Sequence, residues 1–140
     1  MCIRDSASPL PYVTKTVTID GTTAPGYVSN PIVCVNFQGN SGFIVAPGAS
    51  GSAISGLSLI NASGAALTLQ ASDVQVSGNF IGLAMDGSIA ANSGDGILAT
   101  KTSSNNLIGG DSPITSISYT NAMNSNRFPL TVSFWQGRCV

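Results

Sequence analysis

The 140-residue chain suffices for one modest domain and is too short for two that each bury a core. It carries 20 Ser, 11 Thr, 11 Asn and 16 Gly against six Asp, no Glu, two Lys and three Arg, a net charge of −1. This excludes a largely helical protein, whose exposed faces need Glu, Lys and Gln, and a nucleic-acid binder, which needs a basic stripe along the phosphates, while the 43% hydrophobic content excludes disorder.

Short β-rich runs alternate with turn clusters, and no helical period persists. The opening Met1-Cys2-Ile3-Arg4-Asp5-Ser6 matches nothing downstream and resembles a translated sequencing-adapter remnant. It is expected to lie outside the fold, and the chain to be a fragment. Residues 13–19 alternate Val-Thr-Lys-Thr-Val-Thr-Ile, a period-two strand closed by the turn dipeptide Asp20-Gly21. Further strands are predicted over residues 31–37, 42–46, 53–60, 65–69, 74–76, 80–81, 96–98 and 107–108, separated by turns such as Pro25-Gly26 and Pro47-Gly48. Residues 129–135 still alternate like a strand, and 113–140 otherwise stand apart as an uncertain C-terminal segment.

These runs repeat. Ile54-Ser55-Gly56-Leu57-Ser58-Leu59 matches Val76-Ser77-Gly78-Asn79-Phe80-Ile81 at a shift of 22 positions. Gly64-Ala65-Ala66-Leu67 matches Gly94-Asp95-Gly96-Ile97 at 30, and Asn79-Phe80-Ile81-Gly82 matches Asn106-Leu107-Ile108-Gly109 at 27. A drifting period is what a variable loop produces, and residues 83–93 read as an insertion. Repeats of about 20–30 residues holding two or three short strands are the mark of a β-solenoid. A two-residue strand is unstable alone, but it can pair with its counterpart one coil away, about 4.8 Å along the axis. Ile, Leu, Val and Ala then form inward columns, Ser, Thr, Asn and Gln face out, and Gly and Asn turn the corners. On this reading Asn79 and Asn106 occupy equivalent corners and stack as a ladder.

The residues also carry a family resemblance. Ile19-Asp20-Gly21-Thr22-Thr23-Ala24-Pro25-Gly26-Tyr27 resembles a segment of bacterial right-handed parallel β-helix repeat proteins with the pectin-lyase-like fold. Asn79-Phe80-Ile81-Gly82, Asp86-Gly87-Ser88, Asn92-Ser93-Gly94-Asp95-Gly96-Ile97 and Ser104-Asn105-Asn106-Leu107-Ile108-Gly109-Gly110 are similar, in order, to a coil of the same proteins. The likeness spans residues 13–112, with Leu83 standing where that coil usually has Thr. The fold expected is all-β, a right-handed parallel β-helix of about four or five coils over residues 7–112.

The resemblance implies a secreted or cell-surface location and two functional classes: a non-catalytic structural or adhesive module, with polysaccharide as its candidate ligand, or a piece of a polysaccharide lyase or glycoside hydrolase. Such enzymes combine carboxylates that hold Ca²⁺ with a Lys or Arg base. The acids available are Asp73, Asp86, Asp95 and Asp111, and Lys101 is the one basic residue between Lys15 and Arg127. Asp86 and Asp95 flank the insertion and are the metal candidates, since calcium needs six to eight converging oxygens. Asp86-Gly87 and Asp95-Gly96 are equally ordinary turn dipeptides, in which the carboxylate caps its own backbone. With no His in the chain, nucleophile triads have no base. No catalytic residue and no cofactor is therefore assigned, calcium being only a candidate at Asp86 and Asp95, and neither nucleic acid nor membrane insertion is expected.

Cys2, Cys34 and Cys139 form neither a disulfide framework nor a zinc motif. Cys34, inside Ile32-Val33-Cys34-Val35, reads as a small buried hydrophobe. Thr14, Thr16 and Thr18 share one strand face but do not recur on later repeats as an ice-binding array would, so a plain exposed strand is expected. The expected partners are neighbouring coils of the same polypeptide, because solenoid ends expose unpaired backbone and core.

Overall fold

In the computed structural model, which describes residues 2–5 and 7–109, the alternating run at 13–19 is not one strand. Val13 makes an isolated parallel bridge to Val45, and only Thr18–Asp20 is a strand. Between them the chain turns a corner, at which Thr16 Oγ1 donates to the Ser50 carbonyl at 2.7 Å and Val17 N donates to Ser52 Oγ at 3.1 Å. At the bend Thr14, Lys15 and Thr16 are all exposed, so the alternation in the sequence there does not correspond to an in-out alternation in the fold.

The same happens at residues 53–60. Here the predicted single strand is two, Ala53–Ser55 and Leu57–Ile60, broken at Gly56. Gly56 has φ of 68°, and a Cβ there would come within 2.8 Å of Thr22 N, so only glycine fits without strain.

The strands are β1 (Cys2–Asp5), β2 (Thr18–Asp20), β3 (Val33–Asn36), β4 (Phe43–Val45), β5 (Ala53–Ser55), β6 (Leu57–Ile60), β7 (Leu67–Leu69), β8 (Gln75–Ser77), β9 (Phe80–Ile81), β10 (Ile97–Ala99) and β11 (Leu107–Ile108). They form three sheets: β1-β3-β6-β9, β10-β7-β4 and β11-β8-β5-β2. Every pairing between these strands is parallel. From β3 onward the chain visits the first, second and third sheets in turn, then returns to the first. Among the described residues there is no α-helix, only the 3-10 turns Gly21–Thr23 and Pro47–Ala49. The protein is all-β, with mostly parallel strands in stacked sheets, an architecture compatible with a β-solenoid. Residues 2–5, left out of the coils by the sequence reading, pair with β3. The 113–140 segment, including the strand expected at 129–135, lies outside the described residues.

Register places like on like. Ile19, Ile54, Val76 and Ile108 are successive partners in the third sheet. Phe43, Leu67 and Ile97 line up in the second, and Val35, Leu59 and Ile81 in the first. Leu59, Leu67, Leu69, Val76 and Ile81 are wholly inaccessible, and they belong to one apolar cluster running between the sheets. Burying each such side chain contributes about 1.5–3 kcal/mol. Phe37, also inaccessible, meets Phe43 edge-on with ring centroids 5.6 Å apart at the turn into the second sheet.

The repeat shifts of 22 and 30 are the observed registers: Ile54 pairs with Val76, Leu59 with Ile81, and Leu67 with Ile97. The shift of 27 is not. Leu107 and Ile108 pair with Gln75 and Val76 in the third sheet, whereas Phe80 and Ile81 pair with Ser58 and Leu59 in the first. Asn79 and Asn106 therefore sit at different corners and form no ladder with each other. Both asparagines stand just before a short strand and bond main-chain groups of the preceding pass, so the same local motif recurs at positions that do not stack.

Candidate functional site

Three groups of side chains carry the chemistry of the described residues: the carboxylates, the corner asparagines and hydroxyls, and one thiol.

Asp86 lies exposed in the insertion, which folds as a small hairpin. Leu83 and Ile89 bridge antiparallel, and Ala84 N donates to the Ser88 carbonyl at 2.8 Å. Asp86 Oδ1 accepts from Ser88 Oγ at 2.6 Å and Ser88 N at 2.8 Å, closing its own turn. The Ser88 hydroxyl, then its amide, hold the Asp86 carboxyl below its ordinary pKa of 3.8. Asp20 repeats the arrangement, its Oδ1 accepting from Thr22 Oγ1 at 2.6 Å, Thr22 N at 2.9 Å and Ser55 Oγ at 3.2 Å. The Thr22 hydroxyl leads in holding this carboxyl low as well.

Asp95 is half-buried just before β10, where its main-chain carbonyl accepts from Ala66 N at 3.1 Å. Asp73 is an exposed corner residue with φ of 59°. Its amide donates to the Ser104 carbonyl, and Gly51 and Asn105 at the matching points of the neighbouring passes share its left-handed backbone, with φ of 81° and 56°. Asp and Asn accept that conformation better than most residues, which accounts for Asp73 without a ligand. Lys101 is exposed in the turn after β10. Asp111 lies outside the described residues. Among the described residues no group of three or more His, Cys, Asp or Glu side chains is placed to hold a metal ion.

The corner polar groups are more organised than the acids. Asn79, wholly buried, accepts from Leu57 N and donates to the Ile54 carbonyl, each at 2.9 Å. Asn92, 4% exposed, does the same one corner on, accepting from Ala62 N at 2.8 Å and donating to the Leu59 carbonyl at 3.2 Å. Asn106 accepts from Val74 N at 2.9 Å at the third corner. Where the bending chain interrupts the main-chain ladder, a side-chain amide replaces it. Outside the third corner, Ser50 Oγ accepts from Ser72 N at 3.3 Å, and Ser72 Oγ lies 3.1 Å from both Ser104 Oγ and Ser104 N. The ladder expected of Asn79 and Asn106 is thus absent, and side chains stack instead as these serines and, at another corner, as Asn61 Nδ2 donating to Asn36 Oδ1 at 3.0 Å. The serine row was readable as a Ser preceding Gly51, Asp73 and Asn105 in turn.

Cys34 is 2% exposed, as its apolar run implied, but on the side of β3 away from the core. Val33 and Val35 pack inward, and Cys34 pairs with Ser58 on the opposite face. Burial raises the thiol above its ordinary pKa, with the Asp5 charge adding and the Ser58 hydrogen bond opposing. Ser58 is itself inaccessible and donates to the Leu83 carbonyl at 2.6 Å, so the insertion hairpin is anchored to the outer face of β6. Buried on this face, Cys34 packs as a small apolar group.

No protein-family model, curated protein or solved structure matches this chain. No helix among the described residues is long and apolar enough to cross a membrane.

Proposed function

We propose that the chain is a four-coil segment of a right-handed parallel β-helix, serving as a non-catalytic structural or adhesive module of a larger secreted or cell-surface bacterial protein, with polysaccharide as its ligand. The cyclic visiting of three parallel sheets supports the coil, each pass contributing one short strand or bridge to each sheet. Right-handedness is supported by the strong chiral preference of parallel crossovers. The sequence resemblance to bacterial β-helix repeat proteins supports the cellular setting.

The observation that carries the non-catalytic reading is the use of the carboxylates. Asp20 and Asp86 each commit one carboxylate oxygen, Oδ1, to the hydroxyl and amide two residues ahead, and no three acids converge among the described residues. A lyase of this architecture needs acids free to converge on calcium and substrate. Here Asp20 and Asp86 hold turns, and the regular surface feature at the third corner is the row of hydroxyls at Ser50, Ser72 and Ser104.

Two measurements test this reading. Incubation with pectate and alginate, with and without calcium, is expected to release no unsaturated product, while retention on immobilised polysaccharide is expected above that of an unrelated β-protein. Calcium-dependent turnover abolished by Asp86→Ala and Asp95→Ala would overturn the proposal in favour of a lyase or hydrolase fragment. Absence of both turnover and retention would remove polysaccharide as the ligand.

A further inference from the structure

We draw no further inference here: the strongest candidate, the buried Cys34 thiol beside Ser58 on the outer face of the first sheet, is a lone cysteine with no second group near it that points to a ligand.

Discussion

Asn79 reaches back one full pass of the chain to accept the Leu57 amide at 2.9 Å, and its own amide nitrogen donates to the Ile54 carbonyl at the same distance. One side chain thereby satisfies both main-chain groups that the break at Gly56 leaves without a ladder partner. Because Asn79 is wholly buried, removing its amide leaves both groups unpaired in the interior.

Asn79→Ala is therefore expected to destabilise the fold by about 2–6 kcal/mol, from two orphaned buried groups at about 1–3 kcal/mol each. Ser72→Ala, which removes one hydroxyl of the solvent-facing serine ladder, should change stability by less than about 0.5 kcal/mol. Urea titration followed by circular dichroism measures both. Equal losses would mean that the corner amide matters no more than a surface contact.

Gly56 and Gly87 separate backbone strain from collision. Both have positive φ, 68° and 88°, so alanine at either carries the left-handed penalty of about 1–2 kcal/mol. At Gly87 a Cβ meets nothing within 4 Å, whereas at Gly56 it meets Thr22 Cγ2 at 2.7 Å and Thr22 N at 2.8 Å. Gly56→Ala should thus cost at least about 1 kcal/mol more than Gly87→Ala, the typical added cost of overpacking. The difference in urea midpoint at constant m-value reads it.

The contrast also shows what a sequence can reveal in such a fold. The apolar columns were legible because Ile54 and Val76, or Leu67 and Ile97, recur with their flanking residues, in the second case even across the insertion at 83–93. The false match of Asn79 with Asn106 arose because local motifs encode what a corner needs, while stacking depends on the length of every intervening loop. The breaks within 13–19 and 53–60 stayed hidden because each run is continuous in composition, although the in-out pattern fails at both: Thr14, Lys15 and Thr16 are all exposed, and the inward Ile54 and Leu57 stand three residues apart. For the candidate site, the turn reading of Asp86-Gly87 was available from two residues, and the Ser88 contacts match it. The outward placement of Cys34 was not available, because an apolar run gives no parity.

The acid side of the stability profile follows from the same turns. Asp20 and Asp86 have carboxyls held below 3.8 by their Thr22 and Ser88 partners, so folding favours their charged forms. A group with its folded pKa depressed contributes stability above the unfolded value and loses it as pH falls through the folded value. Thermal unfolding midpoints should stay level from about pH 7 to about pH 4.5 and fall below about pH 4. Asp86→Asn removes one of the charges, so its deficit relative to the parent chain should shrink as the pH is lowered. A deficit that does not change with pH would remove the carboxylate from the account.

Cys34 offers a measure of how tightly the first sheet is covered on its outer side. In a Cys2→Ser, Cys139→Ser background the only thiol is 2% exposed and raised in pKa by burial. Reaction with a chromogenic disulfide reagent at neutral pH needs both exposure and the thiolate. Native protein should react about a hundredfold more slowly than protein in concentrated urea, corresponding to an opening free energy of about 2.8 kcal/mol. The thiol lies opposite the main core, so its protection reports the outer layer, which can open without global unfolding. Labelling that accelerates at urea concentrations below the main transition would show that this layer opens separately. Native labelling as fast as in urea would contradict the burial of Cys34 and, with it, the covered outer face of β3 and β6.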